Sequence, residues 1–353
     1  MIPKRDKQAV GQRLLAAFRA AGAVEVAPDI LQPAEALLDM YGEDIRARAY
    51  VTADPIRGEV MLRPDFTLPV VQGHMQNGAE PARYCYLGEV FRKQDMGDLR
   101  PENPRDNEYL QCGFELFSRH PGADAEVFAL FHRLLAPYGL TAETGDMGLL
   151  MDAVRGLPVS EARQRALLHH IWRPGRFQRL LDRFSAPSAP RDFPATAAPW
   201  AGLRGEGEIQ ARVARLRADR DEPPLPALWP ERLKRLFSLR APAPQAIAEL
   251  RDLAGDIPAI SHAVARIATR FAAIAGQGID PAGVIFDASH GRATMEYYDG
   301  FTFSFLAPRP GLPPVASGGR YDALTRILGK GREIPAVGGI IRPGVLAELE
   351  ASA

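Results

Sequence analysis

The sequence predicts an α/β protein of the α+β kind, an antiparallel sheet flanked by helices with a helical insertion in its second half. Three observations carry this. The runs RYCYLGEVFR (residues 83–92) and NEYLQCGFELF (107–117) alternate apolar and polar residues with the period of two that a pleated strand imposes. Strand-like runs come in pairs joined by loops or turns, not in regular βαβ units, which favours antiparallel pairing with helices packed on the sheet. Between about Ser160 and Gln277 the pattern is helical but broken by Pro/Ala-rich stretches such as SAPSAPRDFPATAAP and RDEPPLPALWP, where proline interrupts continuous helix or strand.

Taking the elements in order, MIPKRDKQAVGQRLLAAFRAAGAVEV reads as an amphipathic helix and not as a leader, because Arg13 and Arg19 interrupt the apolar positions at helical spacing. EVMLR is a strand through Arg63, and Pro64 suits the first position of a helix over PDFTLPVVQGHM. The two clear strands follow, joined by KQDMGDLRPENPRDN, 15 residues with few apolar ones. Loops of that length inside compact domains are more often functional than accidental, so this one is a candidate substrate cover. From Asp124 the run AEVFALFHRLLAPYG is helical. After the insertion, ATMEYY and FTFSFLA flank Asp299 and Gly300, an Asp-Gly pair that predicts a tight hairpin. SGGRYDALTRIL then reads as a glycine turn into a helix, and PAVGGIIRPGVLAELE as a strand and a short helix.

Bulk properties narrow the function classes. At 353 residues the chain buries a sizeable core. Lys plus Arg equals Asp plus Glu at 43 each, so the chain lacks the global positive field behind most non-specific nucleic-acid affinity, and no nucleic-acid partner is expected. Cys85 and Cys112 sit in apolar, alternating stretches and are read as buried strand residues in a reducing compartment, with no disulfide framework. No stretch approaches the roughly 20 apolar residues of a membrane span, so a cytoplasmic protein is expected.

Chemistry concentrates on one strand face. Leu110, Cys112, Phe114 and Leu116 form the core side of NEYLQCGFELF, while Tyr109, Gln111, Gly113, Glu115 and Phe117 fall opposite. In RYCYLGEVFR, Cys85, Leu87 and Phe91 are on the apolar side, and Tyr86, Gly88 and Arg92 on the other; Glu89 breaks the alternation. If the strands are neighbours, Arg92 joins the Gln111 and Glu115 side. The same row also fits a solvated sheet face. Gly88 and Gly113 favour a pocket, since side-chain-free strand positions mark close approach of a ligand or another backbone.

Other features have plain readings beside the functional ones. GGRYDAL is either an anion cradle at a helix start or an ordinary glycine turn. Asp65 and Thr67 are either ligand groups or favoured first-turn residues. His169 and His170 have no second cluster at metal spacing, and the sequence contains no P-loop, nucleophile elbow, zinc-ligand set or dinucleotide fingerprint.

In series, these pieces resemble the catalytic core of a class II aminoacyl-tRNA synthetase, specifically the histidyl enzyme. EVAP, with Pro28, resembles the first class motif, MLRPDFT the segment that contacts the amino acid, and Arg83 to Phe117 the second motif with its two strands and loop. EYYDGFTF and SGGRYDAL resemble the two histidine-specific motifs. The likeness covers residues 5–155 and 285–348, which implies a synthetase-like core of 1–155 and 285–353 around an insertion of 156–284. It implies that Asp65, Thr67 and Gln111 bind the amino-group side of histidine. Glu115 and Tyr298 would take the two imidazole nitrogens, with Tyr297 beside them and Arg92 as the surviving second-motif arginine. A carboxylate and a phenol suit that ring, because together they fix its tautomer and orientation.

The departures from the family pattern matter as much. Ala293 stands where the histidine-specific arginine would be, and Val345 where the third-motif arginine would grip triphosphate. Arg292 and Arg342 are near these positions but out of register, and one residue's shift on a strand sends a side chain to the opposite face. Gln94 replaces an acidic residue after Arg92. Loss of one preorganised charge-stabilising group costs about two to three orders of magnitude in rate, so two such losses argue against adenylation. With the chain ending at Ala353, the synthetase's anticodon-binding domain is not expected.

A histidine pocket kept and its chemistry removed resembles the family of ATP phosphoribosyltransferase regulatory subunits, in the first step of histidine biosynthesis. That resemblance implies a non-catalytic chain without cofactor or metal. It would dimerise through its core and form a hetero-octamer with a short catalytic subunit, which it activates and helps to inhibit in response to histidine. The alternatives left open are a truncated ligase that still adenylates histidine or a related amino acid, with Arg292 and Arg342 substituting for the missing arginines, and a tRNA or uncharged-ligand sensor without a catalytic partner, against which the neutral charge counts.

Overall fold

The computed structural model describes residues 2–34, 43–93, 107–188, 203–292 and 296–352. The loop expected to cover the substrate, from Gln94 onward, and Ala293 with Thr294 and Met295 lie outside the described residues.

The chain opens with α1 (Lys4–Ala20), β1 (Val24–Glu25), β2 (Leu31–Pro33), α2 (Glu43–Arg48), β3 (Val51–Asp54), β4 (Gly58–Leu62) and α3 (Thr67–Asn77). The two alternating runs are β5 (Ala82–Phe91) and β6 (Glu108–Phe117), followed by α4 (Ala123–Leu135), β7 (Thr141–Asp146) and α5 (Met147–Arg155). The insertion contains α6 (Glu161–His169), α7 (Pro174–Ser185), α8 (Glu206–Asp221), α9 (Leu228–Phe237), β8 (Arg240–Pro242), α10 (Ala243–Asp256) and α11 (Ser261–Gly276). The chain closes with β9 (Val284–Asp287), β10 (Phe301–Leu306), β11 (Ala316–Arg320), α12 (Asp322–Leu328), β12 (Ala336–Ile341) and α13 (Pro343–Ser352).

Nine strands form one sheet in the order β1-β5-β6-β12-β11-β10-β7-β9-β8, and β2, β4 and β3 form a small second sheet. The run from β5 to β7 is antiparallel throughout, as the pattern predicts, and parallel pairs occur only between β1 and β5 and between β7 and β9. A short strand from within the insertion, β8, thus completes the sheet at one edge.

One sheet face is closed by α1, α4 and α13 over Cys85, Cys112, Phe114, Leu116, Phe303 and Val337. Cys85 and Cys112 are both buried free thiols on this face. The opposite face carries α3 and α12 over Tyr86, Val90, Phe117, Tyr298 and Tyr321. Both faces of β6 are therefore covered, and the solvated-face reading of Gln111 and Glu115 fails: these residues are 2% and 0% exposed. Glu89, the break in alternation, faces α1, where Lys4 Nζ lies 3.3 Å from its carboxylate.

Apolar packing runs without a gap from the sheet into the insertion through Phe128, Ala153, Ile267, Leu167, Phe177 and Leu250. A buried ionic chain reinforces that joint. Arg270 on α11 donates to Asp124 (2.7 Å) and to Asp146 (2.9 Å), and Arg320 on β11 donates to Asp124 at 2.6 Å.

Three local expectations are corrected. The helix after Arg63 begins at Thr67, not at Pro64. No hairpin forms around Asp299 and Gly300: Glu296–Gly300 is irregular, and β10 pairs with β7 and β11 instead. The carboxylate of Asp299 accepts from the backbone N–H of Asp322 (3.0 Å) and Ala323 (2.7 Å), so it caps α12 across the fold. Finally, the glycines of SGGR do not make a turn but lie within β11. A Cβ at Gly318 would stand 2.3 Å from Gly338 O, which is why only glycine fits there.

Candidate functional site

The site lies on the second sheet face, beneath α3 and α12. β5 and β6 pair with Tyr84 opposite Glu115, Tyr86 opposite Gly113 and Gly88 opposite Gln111. This register sets the layout. Tyr86 lies across Gly113, where a Cβ would stand 2.2 Å from its ring, and stacks on Phe66 at 4.3 Å between centroids. Gly88 makes room for Arg63 and Phe66. Both glycines therefore accommodate side chains of the protein itself, not the ligand that the sequence pattern suggests.

Glu115 is the centre of the arrangement. Its Oε1 accepts from Thr67 Oγ1 and from Tyr86 OH, both at 2.9 Å, and its Oε2 accepts from Tyr321 OH at 2.6 Å. Gly338 of β12 sits directly opposite Glu115 and leaves the space its carboxylate fills, since a Cβ there would be 1.6 Å from Oε2. Among the described residues no cation lies within ion-pair distance of Glu115. Burial pushes its carboxyl up to about 7, and the three hydroxyl donors work against that rise. Burial, with the nearby carboxylate of Glu115, raises the phenols of Tyr86, Tyr297, Tyr298 and Tyr321, and Asp65 adds to this for the first three, so all four are neutral.

The other expected residues group around this carboxylate. Tyr297 OH donates to Asp65 Oδ2 at 3.3 Å, and Asp65 Oδ1 accepts from Leu68 N at 3.4 Å, in the first turn of α3. Tyr297 packs edge-on against Tyr298, with centroids 5.0 Å apart, and against Tyr321 at 6.2 Å. Gln111 donates from Nε2 to Tyr109 OH at 3.5 Å, while its buried Oε1 has no donor among the described residues. Arg92 donates to Pro64 O at 2.8 Å and lies 6.0 Å from the Tyr109 ring centroid, at the far end of the row from Glu115. Asp65, Thr67, Gln111, Glu115, Tyr297 and Tyr298 thus line one sheet face, with Arg92 at its margin. Glu115 takes its hydrogen bonds from Thr67, Tyr86 and Tyr321, not from Tyr298.

Sequence reasoning missed Tyr86, Tyr321 and Gly338 as members of the site. Tyr86 was on the right strand face, but only the register sets it over Gly113. Tyr321 belongs to GGRYDAL, where the glycines drew the attention.

Both neighbouring arginines hold backbone carbonyls of the protein. Arg292 is buried among insertion residues, donating to Ile171 O at 3.1 Å, with its guanidinium 4.5 Å and 5.1 Å from the Phe237 and Phe177 ring centroids. Arg342 donates to Pro314 O at 2.6 Å and Ser317 Oγ at 3.5 Å. Val345 packs against the apolar cluster of the opposite sheet face.

Chemically, the site offers a buried carboxylate with exchangeable hydroxyl donors, a second carboxylate, an amide oxygen awaiting a donor, and aromatic walls. That set matches a small molecule with a ring N–H at one end and an ammonium at the other. No group of three or more His, Cys, Asp or Glu side chains among the described residues is arranged to hold a metal ion, and no described helix is long and apolar enough to cross a membrane.

Comparison with known proteins identifies the family and the fold. A family model described as histidyl-tRNA synthetase matches residues 4–190 and 202–343. The ATP phosphoribosyltransferase regulatory subunit of Allorhizobium ampelinum is 31% identical, over 92% of this chain and 93% of the relative. That of Agrobacterium fabrum is also 31% identical, over 96% of each. Among solved structures, an ATP phosphoribosyltransferase regulatory subunit/histidyl-tRNA synthetase from Bacillus halodurans aligns with a TM-score of 0.71 at 21% identity, covering 99% of this chain and 80% of that one. A histidine–tRNA ligase subunit from Alicyclobacillus acidocaldarius aligns with a TM-score of 0.61 at 22% identity, covering 100% and 95%. These structural likenesses speak to the fold.

Proposed function

We propose, on the premise that this chain belongs to the family of ATP phosphoribosyltransferase regulatory subunits built on a histidyl-tRNA synthetase-like core, that it senses histidine for a separate catalytic chain. In this reading the protein catalyses nothing itself. It works in the cytoplasm, activates a short phosphoribosyltransferase subunit at the first step of histidine biosynthesis, and takes part in its inhibition when histidine accumulates.

The observation that carries the reading is the pairing of Glu115 with Gln111 on one buried strand face. Among the described residues Glu115 is a carboxylate without a cation, and Gln111 Oε1 is a buried acceptor without a donor. A buried acceptor left without a donor costs about 1–3 kcal/mol, and a ligand ammonium would relieve it. An imidazole N–H would displace a hydroxyl from Glu115, with Asp65, Thr67, Tyr297 and Tyr298 completing the cradle and Arg92 at its margin. The absence of adenylation in this proposal is supported by Arg292 and Val345, which are committed to packing elsewhere.

Coupling requires histidine to bind two states of the complex unequally. The closed cage, in which Tyr321 and Tyr86 occupy Glu115, is one such state, and the liganded pocket is the other. Self-association through the core is supported by exposed apolar residues near one sheet edge: Val24 on the edge strand β1, Leu31 and Val51 on the small sheet, and Ile56 beside it. A second copy of this chain would cover them, and two such dimers with four catalytic chains would give the hetero-octamer.

The test is to mix the purified chain with the short catalytic subunit and to measure complex mass by light scattering and phosphoribosyl-ATP formation with and without histidine. A stable complex, a faster reaction and a histidine-dependent loss of that gain are expected. No complex and no change in rate would overturn the reading.

A further inference from the structure

The helix α12 starts at Asp322, and its N-cap position is held by Tyr321, whose side chain makes no capping bond. A helix start leaves backbone N–H groups without partners, and short oxygen-bearing side chains at the N-cap ordinarily take them. The hydroxyl of Tyr321 is committed to Glu115 instead. The next side chain is occupied as well: Asp322 Oδ1 accepts from Ala336 N at 2.9 Å and from Arg320 Nη1 at 3.1 Å. The missing acceptor comes from Asp299, whose two carboxylate oxygens take one N–H each, Asp322 N at 3.0 Å and Ala323 N at 2.7 Å.

Asp299 also holds the other side of Tyr321. Its own backbone N–H donates to the carbonyl of Arg320 at 3.1 Å, so three hydrogen bonds from one residue bracket Tyr321. The residue before Asp299 is Tyr298. Tyr297 and Tyr298 belong to the irregular stretch Glu296–Gly300, so neither a strand ladder nor a helix fixes their backbone. The same Asp299 anchor fixes it, together with Met147 N donating to Gly300 O at 2.8 Å. The ring of Tyr298 lies over Gly319, where a Cβ would stand 2.9 Å from its Cδ1. Asp299 therefore ties together Tyr298 and Tyr321, two phenols of the Glu115 site that come from separate segments of the chain.

We infer that Asp299 is a positioning residue that determines the specificity of the Glu115 site. By capping α12 in place of Tyr321 it frees that phenol for Glu115 and sets Tyr298 beside it, and so governs how well the site separates a ring that carries N–H from a ring of the same shape that does not. The inference rests on the histidine reading above. A plain helix cap needs no such arrangement, because Ser or Asp at position 321 would reach the same N–H groups locally. A carboxylate brought in from 23 positions away is required only because position 321 carries a phenol of the site. Both oxygens of Asp299 are engaged by α12, so it acts through the two tyrosines and not on the ligand. Groups that address a ligand discriminate well only when their own supports hold them in place.

The experiment titrates the full-length chain calorimetrically with histidine and with thienylalanine, whose ring has the size of imidazole but no nitrogen, and reads the ratio of the two affinities. A site that hydrogen-bonds a ring N–H rejects an analogue lacking it by about a hundredfold or more. In Asp299→Ala that ratio should fall about tenfold, through weaker histidine binding with the thienyl analogue little changed, because misplaced hydrogen-bonding groups lose much of their value. Asp299→Asn keeps one of the two acceptors, so it should fold and show a smaller fall, about threefold. Lower thermal stability with an unchanged ratio in either folded variant would make Asp299 a helix cap alone and overturn the inference, leaving the histidine reading intact. An unmodified chain that binds histidine no more tightly than thienylalanine would overturn both.

Discussion

Tyr321 and Glu115 stand 206 positions apart in the chain and share a 2.6 Å hydrogen bond at the centre of the candidate site. The phenol is fully buried and neutral, and so is held as a donor to a carboxylate that has no cation among the described residues. Glu115 is therefore satisfied without ligand by hydroxyls, which are weaker partners than a charged N–H. Exchange of one hydroxyl for an imidazole N–H turns an internally closed site into a binding site.

If histidine makes that exchange, Glu115→Ala should weaken its binding by about 2–4 kcal/mol, the order expected for losing a charged hydrogen-bond partner in a buried site. Calorimetric titration of the two proteins measures this directly. Unchanged affinity would place the effector elsewhere.

The same carboxyl should set a pH dependence of stability. Its folded value, raised by burial to about 7, lies above the ordinary 4.5 of the unfolded chain. The folded protein then holds a proton that the unfolded one releases, so this stabilising contribution is complete below about pH 4.5 and is lost as pH rises through 7. Glu115→Gln has no such proton to lose. Between pH 4.5 and 8 the stability of Glu115→Gln relative to the unmodified chain should improve by about 2–3 kcal/mol, read from urea midpoints. A difference independent of pH would mean that Glu115 titrates like a solvated carboxylate.

Gly338→Ala should close the space in which Glu115 sits. The added Cβ would be 1.6 Å from Oε2 and 2.7 Å from Phe114 O, and β12 is fixed between β6 and β11, so backbone shift is limited. Overpacking of this kind costs about 1–3 kcal/mol, occasionally more. Combining it with Glu115→Ala removes the worst contact, and the double variant should be less destabilised than the sum of the singles by about 1 kcal/mol or more. Strict additivity in thermal unfolding would contradict the contact.

The sequence made the pocket face legible because alternation on β5 and β6 is a local property: Gln111 and Glu115 had to share a side, and Cys112 and Phe114 the other. What that alternation did not disclose was register and long-range pairing. Asp299-Gly300 carries the chemistry of a tight hairpin, yet its carboxylate caps α12 more than twenty residues later, a use invisible to neighbouring residues. Gly318 and Gly319 read as a turn because glycine permits one. They are needed instead for the close approach of β12, Phe301 and Phe303 around β11. Tyr86 and Tyr321 escaped notice because the first becomes a partner of Glu115 only once β5 and β6 are in register, and the second only once β12 joins β6 to β11.

Arg292 provides the sharpest separation between regulation and residual catalysis. Arg292 is 7% exposed, burial lowers its pKa, and among the described residues Nη2 has no acceptor and no carboxylate pairs with it. Burying a charge without a partner is costly, and apolar replacements of matched volume are often neutral or stabilising. Arg292→Met keeps apolar bulk between Phe177 and Phe237, so its unfolding free energy should stay within about 1 kcal/mol of the unmodified chain or exceed it. Arg292→Ala leaves a void and should lose about 2 kcal/mol or more. Were Arg292 replacing the missing synthetase arginine, the unmodified chain would exchange pyrophosphate into ATP in the presence of histidine, and Arg292→Met would abolish it. The packing against the insertion argues for the opposite: no exchange by either protein, and activation of the catalytic subunit retained in Arg292→Met. Histidine-dependent exchange that disappears on this one substitution would restore the ligase reading.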